Sequence, residues 1–311
     1  MILVAGGTGF VGGGIVRELR RRGHGVAVLT RDSKRAASRF GDLGVELREG
    51  DVRDPTSLGP TLRGSEVVIG CQQFPNSPIE NPSRGYTFEE VDAKGTENLV
   101  AAAKASGAKR YIYLSGAGAA PDAPYHWFRS KWRAETAVRE SGLLYTVFRP
   151  SWVYGPEDRA LNRFLGMSRF LPFVPLIGNA GTQRLQPAFI DDVSRAVAEA
   201  LVHPTADNQI FEIGGPEVLT MKEIVHTALE VSGRPRLMLS APKAVMKLAA
   251  SILQLAPGRP MTPDAVEFIT IEALADPTRA ELTLGIKMTP LREALATYLG
   301  PASRQERGAN S

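Results

Sequence analysis

Cysteine is almost missing from this sequence and histidine is sparse: one Cys and four His in 311 residues. The single thiol, Cys71, excludes an intrachain disulfide and fits a reducing compartment. His24, His126, His203 and His226 are scattered. No cluster has metal-ligand spacing, so no metal is expected. Long apolar runs are also missing. No stretch reaches the length of a membrane-spanning helix. The N-terminal apolar run is too short for a secretory leader and passes into glycines, not a cleavage site. These absences predict a cytoplasmic protein. Charge is nearly balanced, with 37 Lys and Arg against 33 Asp and Glu for a net +4. Part of the excess, Arg17, Arg20, Arg21 and Arg22, reads as a solvated helix face. No basic patch is interleaved with aromatics, so no nucleic-acid partner is expected. No internal repeat is present. Length and ordinary hydrophobic content suit about two domains, or one large α/β unit with an added lobe.

What is there starts at the first residue. Ile2, Leu3, Val4 and Ala5 form an apolar run suited to a central strand buried on both faces. Gly6, Gly9 and Gly12 follow as G-x-x-G-x-x-G. Val11, Ile15 and Leu19 then recur every four residues, with Arg17, Arg20 and Arg21 off that stripe, as in an amphipathic helix. Strand, glycine turn and helix in this order make a dinucleotide cradle. Gly6 allows the turn, Gly9 the approach of a pyrophosphate, and Gly12 close helix–strand packing. The helix N-terminus offers N–H groups and a positive dipole end to the phosphates. The cradle's binding candidates are Gly6, Thr8, Gly9, Phe10, Val11 and Gly12.

Further strands are expected at Val26–Thr30, Val45–Arg48, Glu66–Gly70, Arg110–Leu114 and Leu144–Phe148, with helices at Gly95–Ala105 and Trp132–Ser141. Alternation at this spacing predicts an α/β fold, a Rossmann-type doubly wound parallel sheet. Ligands then bind beyond the carboxyl ends of the strands. After the second strand Arg31 follows Thr30, where an acidic residue would hold a ribose 2′-hydroxyl. An arginine meets a 2′-phosphate with a planar fork and also stacks on adenine. With Ser33, Lys34 and Arg35 nearby, this favours NADP(H) over NAD(H), with Asp32 as the dissenting residue. After the third strand, Asp51 is placed for the adenine amino group and Val52 beside it, although Asp there also suits a turn or helix start. Gly70, Cys71 and Gln72 follow the fourth strand, under the cofactor ribose. Nothing local lowers the Cys71 pKa, so it reads as a small buried filler. Ser115 ends the fifth strand, and Pro150, Ser151 and Val153 follow the sixth.

These stretches together resemble the extended, atypical branch of the short-chain dehydrogenase/reductase (SDR) superfamily. The matching pieces are GGTGFVG at Gly6–Gly12, GDVRD at Gly50–Asp54, GTENLVAAAKASGAKRYIYLS at Gly95–Ser115, RSKWRAE at Arg129–Glu135 and RPSWVYGP at Arg149–Pro156. PAFIDDVSRAV at Pro187–Val197 and FEIGGPEVLTMKEIV at Phe211–Val225 extend the likeness over nearly the whole chain. At finer grain the chain is similar to the nucleotide-binding accessory subunit of respiratory complex I and to bacterial epimerase/dehydratase-like proteins. The resemblance implies a Tyr-x-x-x-Lys pair and a hydroxyl residue after the fifth strand. Lys131 matches the lysine, but Trp127 stands where the tyrosine should be and Gly116 where the hydroxyl should be. Lys131 alone still suits the nicotinamide ribose, whereas a missing proton donor typically costs about 10²–10⁴-fold in rate. Tyr125 and His126 are the candidate substitutes, and Lys131 with Tyr125 make up the catalytic candidates.

The resemblance divides the chain into a dinucleotide domain at 1–156, completed by about 186–214, and a smaller, mainly helical lobe at 157–185 and 215–300 for substrate or partner. Residues 301–311 read as a disordered tail. Phe170, Phe173, Val174, Leu176 and Ile177 read either as a substrate-facing loop or as core. Asp191 and Asp192 suit a helix N-terminus. Ala244–Leu255 reads as an amphipathic helix that packs into the lobe, caps the cleft, meets a partner or lies on a membrane. Two functional readings follow. The first is an NADP(H)-binding protein with degenerate catalysis, its nucleotide structural or redox-sensing, as an accessory or assembly subunit peripheral to a membrane complex. The second is an active NAD(P)-dependent oxidoreductase or epimerase acting on a small carbonyl or alcohol. A thinner third reading is a lipid- or quinone-associated protein.

Overall fold

Seven parallel strands make the central sheet: β1 (Ile2–Ala5), β2 (Val26–Thr30), β3 (Glu46–Glu49), β4 (Val67–Gly70), β5 (Arg110–Leu114), β6 (Leu144–Pro150) and β7 (Gln209–Ile213). Their order is β7-β6-β5-β4-β1-β2-β3. The coordinates are a computed structural model, and it describes residues 1–178, 180–255 and 261–300. Ile2 pairs with Val26 on one side and Val67 on the other, so β1 is central, and all four of its residues are buried. The strand order reverses direction between β1 and β4, and the carboxyl ends there form the crevice expected of a doubly wound sheet.

Helices cover the sheet. Among them are α1 (Phe10–Arg21), α2 (Ser33–Phe40), α3 (Pro55–Leu62), α4 (Gly95–Ala105), α5 (His126–Arg139) and α6 (Ile190–Ala200). Each presents an apolar stripe inward, as with Ile15, Val16 and Leu19 of α1. A seven-residue π-helical turn, Phe88–Lys94, runs directly into α4 and buries Phe88, Val91, Asp92 and Ala93. Arg149 on β6 grips the buried Glu135 of α5 with two bonds, Nε to Oε1 at 2.9 Å and Nη2 to Oε2 at 2.6 Å. Helix α5 starts six residues before the expected Trp132, because the aromatic cluster at 126–128 packs as its first turn.

The chain divides into two compact units. The first is Met1–Pro150, Ile190–Ile213 and Ala275–Lys287; the second is Ser151–Phe189, Gly214–Leu274 and, among the described residues, 288–300. The helix Thr278–Leu284 therefore belongs with the sheet, whereas the sequence reading puts 215–300 wholly in the smaller lobe. Side-chain bonds at that point explain the difference: Asp276 N–H donates to Glu212 Oε2 at 2.9 Å, and Arg279 bonds the side chain of Gln209 on β7. The expected tail, 301–311, lies outside the described residues.

In the second unit, Phe173–Ile177 is a strand paired in parallel with Leu237–Ala241, with Val174 and Leu176 buried, so that stretch is core in part and not a loop. The amphipathic helix forms at Lys243–Leu253, but Ala250 is its one buried residue. Val245, Leu248 and Ile252 are exposed, while Lys243 and Lys247 both pair with Glu267. Of the four readings of this helix, packing of its apolar stripe into the lobe is thus not what the unit itself shows.

Asp158 caps the helix Arg159–Met167, accepting from the N–H groups of Ala160 and Leu161. Burial nevertheless pushes its carboxyl up to about 6, against those two bonds. The folded state then holds this proton more tightly than the unfolded chain, where Asp titrates near its usual value of about 3.9. Its contribution to stability therefore falls as pH rises from about 4 to about 6 and stays low above. Asp158→Asn is expected to gain about 2–3 kcal/mol on the parent over that window. Urea unfolding of both proteins at pH 4 and pH 7 checks it; parallel pH curves would contradict the assignment.

Candidate dinucleotide site

After β1 the backbone turns at Gly6 with φ +84°, and the Gly9 N–H closes the turn onto the Gly6 carbonyl oxygen at 2.9 Å. A Cβ on Gly12 would lie 2.3 Å from that same oxygen, and one on Gly6 would lie 2.5 Å from the carbonyl oxygen of Cys71. Strand, turn and helix are packed to backbone contact. Gly9 is the N-cap of α1; no side chain caps it and no acidic residue stands in the first turn. The positive helix end is left to an anion.

Beside the turn opens a cleft of about 90 Å³. The structure brings Gly6, Thr8, Arg31, Asp51, Val52 and Gln72 together on its wall, all expected from sequence. Glycines against backbone, an uncapped helix end and a cleft at the switch point fit a pyrophosphate with its adenosine half. Such a cofactor would bring hydride chemistry to the site.

Several expected side chains are already engaged. Asp51 gives both carboxylate oxygens to Arg53, at 3.1 Å from Nε to Oδ1 and 2.6 Å from Nη2 to Oδ2. Arg31 Nη1 donates to the Tyr86 hydroxyl at 3.0 Å. Ser33 donates through both N–H and Oγ to Glu49 Oε1, at 3.2 and 2.6 Å. The Arg35 N–H donates to the Asp32 cap, while Arg39, further along α2, reaches the Gly9 carbonyl oxygen at 3.2 Å. Gln72 is buried and donates to Thr96 Oγ1 at 2.8 Å. Gly70 lies where a Cβ would meet the Tyr111 hydroxyl at 2.5 Å. The Cys71 thiol donates to the Ala5 carbonyl oxygen at 3.0 Å, and burial, opposed by the charge of Lys131, pushes it up to about 12. The residue is half-buried, where the sequence reading expects a small buried filler.

The two catalytic candidates have different partners. The Lys131 ammonium is 2.6 Å from Asp92 Oδ1, and Asp92 is fully buried. Burial alone would lower the Lys131 pKa; the Asp92 carboxylate and then the Tyr113 hydroxyl outweigh it and raise it above the usual lysine value. Tyr113 itself is pushed up to about 12 by burial, so it is a neutral phenol at pH 7. Tyr125 is the N-cap of α5, and its ring stacks on Trp127 at 4.5 Å and 6°. His126 Nε2 is 3.0 Å from Glu80 Oε2. Ser115 is buried, its N–H donating to the Phe148 carbonyl oxygen at 2.8 Å. Pro150 ends β6 and accepts from the Ala117 N–H at 2.9 Å. Ser151 and Val153 fall in the second unit, where Ser151 Oγ bonds the Gln186 carbonyl and Val153 pairs with Ala188.

Sequence reasoning missed Asp92, Arg53 and Tyr86. Asp92 carries a readable signal: it lies one turn from Phe88 and between Val91 and Ala93, an acidic residue on an apolar face. Tyr86 carries none, because its partners come from distant segments. Among the described residues no group of His, Cys, Asp and Glu suits a metal.

Parallel strands in this order, with a glycine turn entering an uncapped helix at the switch point, define a Rossmann-type dinucleotide-binding protein. The chain belongs to the NAD(P)H-binding family, whose model matches residues 6–166, and it is of the extended short-chain dehydrogenase/reductase type. It is 35% identical over 227 residues to NADH dehydrogenase (ubiquinone) 1 alpha subcomplex subunit 9, mitochondrial, of Arabidopsis thaliana. That match covers 71% of this chain and 55% of the plant protein. It is 28% identical over 241 residues to the NAD(P)H azoreductase of Xenophilus azovorans, covering 76% and 75%. The Escherichia coli NADPH-dependent quinone oxidoreductase QOR2, solved with NADPH, shares the fold at TM-score 0.73 and 20% identity, over 96% of this chain and 100% of that one.

Proposed function

We propose that this protein holds NADP(H) in the β1–α1 cradle as a structural or redox-sensing group, with the standard oxidoreductase chemistry weakened or lost. The observation that carries the reading is Lys131. Its ammonium is committed to buried Asp92, and the residue four positions before it is Trp127. An indole has an N–H but no proton to exchange near neutral pH, and Gly116 offers no hydroxyl. Arg31, on the wall of the cleft, supports a 2′-phosphate partner. The name of the plant relative supports a place as an accessory or assembly subunit peripheral to a membrane complex. Among the described residues no helix is long and apolar enough to cross a membrane.

The test starts with the nucleotide released when the purified protein is denatured without acid, followed by calorimetric titration with NADPH and NADH. Stoichiometric, slowly exchanging NADPH is expected. Arg31→Ala is expected to weaken NADPH by about ten- to a hundredfold, the range of a charged hydrogen-bond pair, and NADH far less. Robust substrate-dependent NADPH oxidation would overturn the reading. It would favour instead the active oxidoreductase that the azoreductase relative suggests, with Lys131 on the ribose and Tyr125 handling the proton; Tyr125→Phe would then slow turnover.

A further inference from the structure

We infer that Tyr86 is a positioning residue for Arg31, braced through Arg53 and Asp51, and that this chain of four side chains governs how the site meets a nucleotide 2′-phosphate. The inference rests on the dinucleotide reading above. It starts at Asp51, whose carboxylate holds the Arg53 guanidinium at 2.6 Å on Nη2, with a further bond from the Arg53 N–H to Oδ1 at 3.0 Å. Arg53 Nη1 also donates to the Arg84 carbonyl oxygen at 2.7 Å. So anchored, the Arg53 guanidinium lies over the Tyr86 ring, 4.8 Å from its centroid. The Arg31 guanidinium lies 5.4 Å from the same centroid and donates Nη1 to the Tyr86 hydroxyl at 3.0 Å. Both guanidinium contacts have the geometry of cation–π attraction. All four residues line the one cleft, although they come from the end of β2, the turn after β3 and the segment before the π-helical turn.

The physical consequence concerns Arg31. It is exposed, and an exposed arginine loses much rotamer freedom when it grips a ligand. The Tyr86 tether removes part of that loss beforehand. It engages Nη1 and leaves Nε and Nη2, one edge of the fork, for a two-pronged bond to phosphate. Asp51 is thereby the base of the brace, its carboxylate shared with Arg53 before any nucleotide binds.

Tyr86→Phe keeps the ring and both cation contacts and removes only the hydroxyl. The full-length protein would be titrated with NADPH and with NADH, as wild type, Tyr86→Phe, Arg31→Ala and the double variant. Tyr86→Phe is expected to raise the NADPH Kd about five- to tenfold, the scale of one ordinary hydrogen bond, and to leave NADH within about twofold. In the Arg31→Ala background the effect of Tyr86→Phe should vanish, because the hydroxyl acts through Arg31. An unchanged NADPH Kd, an equal rise for both nucleotides, or an undiminished effect without Arg31 overturns the inference and leaves the dinucleotide reading standing. A wild-type protein that binds neither nucleotide overturns both.

Discussion

Asp92→Ala is expected to destabilise the protein by about 3–5 kcal/mol, the cost of breaking a buried ion pair from one side. Asp92 is 0% exposed and the Lys131 side chain 14%. Removing the carboxylate leaves an ammonium with little access to water, 5.5 Å from the Tyr113 ring centroid and with a contact to the Leu114 carbonyl oxygen that, at 3.4 Å, is long for a hydrogen bond. The loss reflects a stranded charge more than the worth of the pair. The double variant Asp92→Asn, Lys131→Met should therefore recover most of the stability, since neutral groups of similar volume carry no such penalty. Urea unfolding of the parent, the single and the double variant decides it. A single variant as stable as the parent would mean that the pair is not sealed from water. A double variant no better than the single would mean that the π-helical turn needs the carboxylate for its shape.

Gly12→Ala should have the second-largest effect, on folding and binding together. The added methyl meets the Gly6 carbonyl oxygen at 2.3 Å and the Gly7 Cα at 2.8 Å. Both contacts are backbone, so no side chain can swing aside. The helix must withdraw from the turn or the turn must open. Overpacking of this kind costs about 1–3 kcal/mol. Borne by the cradle, the same energy weakens nucleotide binding by about ten- to a hundredfold. A thermal melt with and without NADPH measures both parts: the apo protein should melt lower, and the upward shift on adding nucleotide should shrink. Gly59→Ala is the control, since a Cβ there meets nothing within 4 Å. Equal behaviour of the two variants would remove the packing explanation.

The parts of the fold that could be read ahead share one property: their signal is local. Val26–Thr30, Gly95–Ala105 and Arg110–Leu114 form at the expected bounds because each is a short periodic or apolar segment between clear turns. Strand β3 moved by one residue to Glu46–Glu49, since its residues are half-buried at most and carry little pattern. The start of α5 was hidden because Tyr125–Phe128 follows a proline-rich turn and its aromatics suit a loop as well as a helix. The glycine cradle was legible because spacing alone dictates it. The rim of the cleft was only half legible. Arg31 and Asp51 stand at predictable strand ends, but which groups they bond depends on Tyr86 and Arg53. Tyr86 is 55 residues from Arg31 along the chain, and no periodicity records such a meeting. Lys131 was found by position, yet its commitment to Asp92 is a tertiary fact.

The thiol of Cys71 bears on a different quantity, the rate at which the sheet opens. The sole cysteine donates to the carbonyl oxygen of Ala5 at the end of the central strand, and its pKa near 12 leaves almost no thiolate at neutral pH. Cys71 is half-buried, so alkylation in the native protein is limited by scarce thiolate and speeds up when the thiol leaves Ala5, which ties the labelling rate to the β1–β4 seam. Because the same seam carries Gly6, a bound nucleotide that clamps the turn would slow the labelling. The protein thus contains its own reporter of cradle dynamics, free of any second cysteine that would blur it.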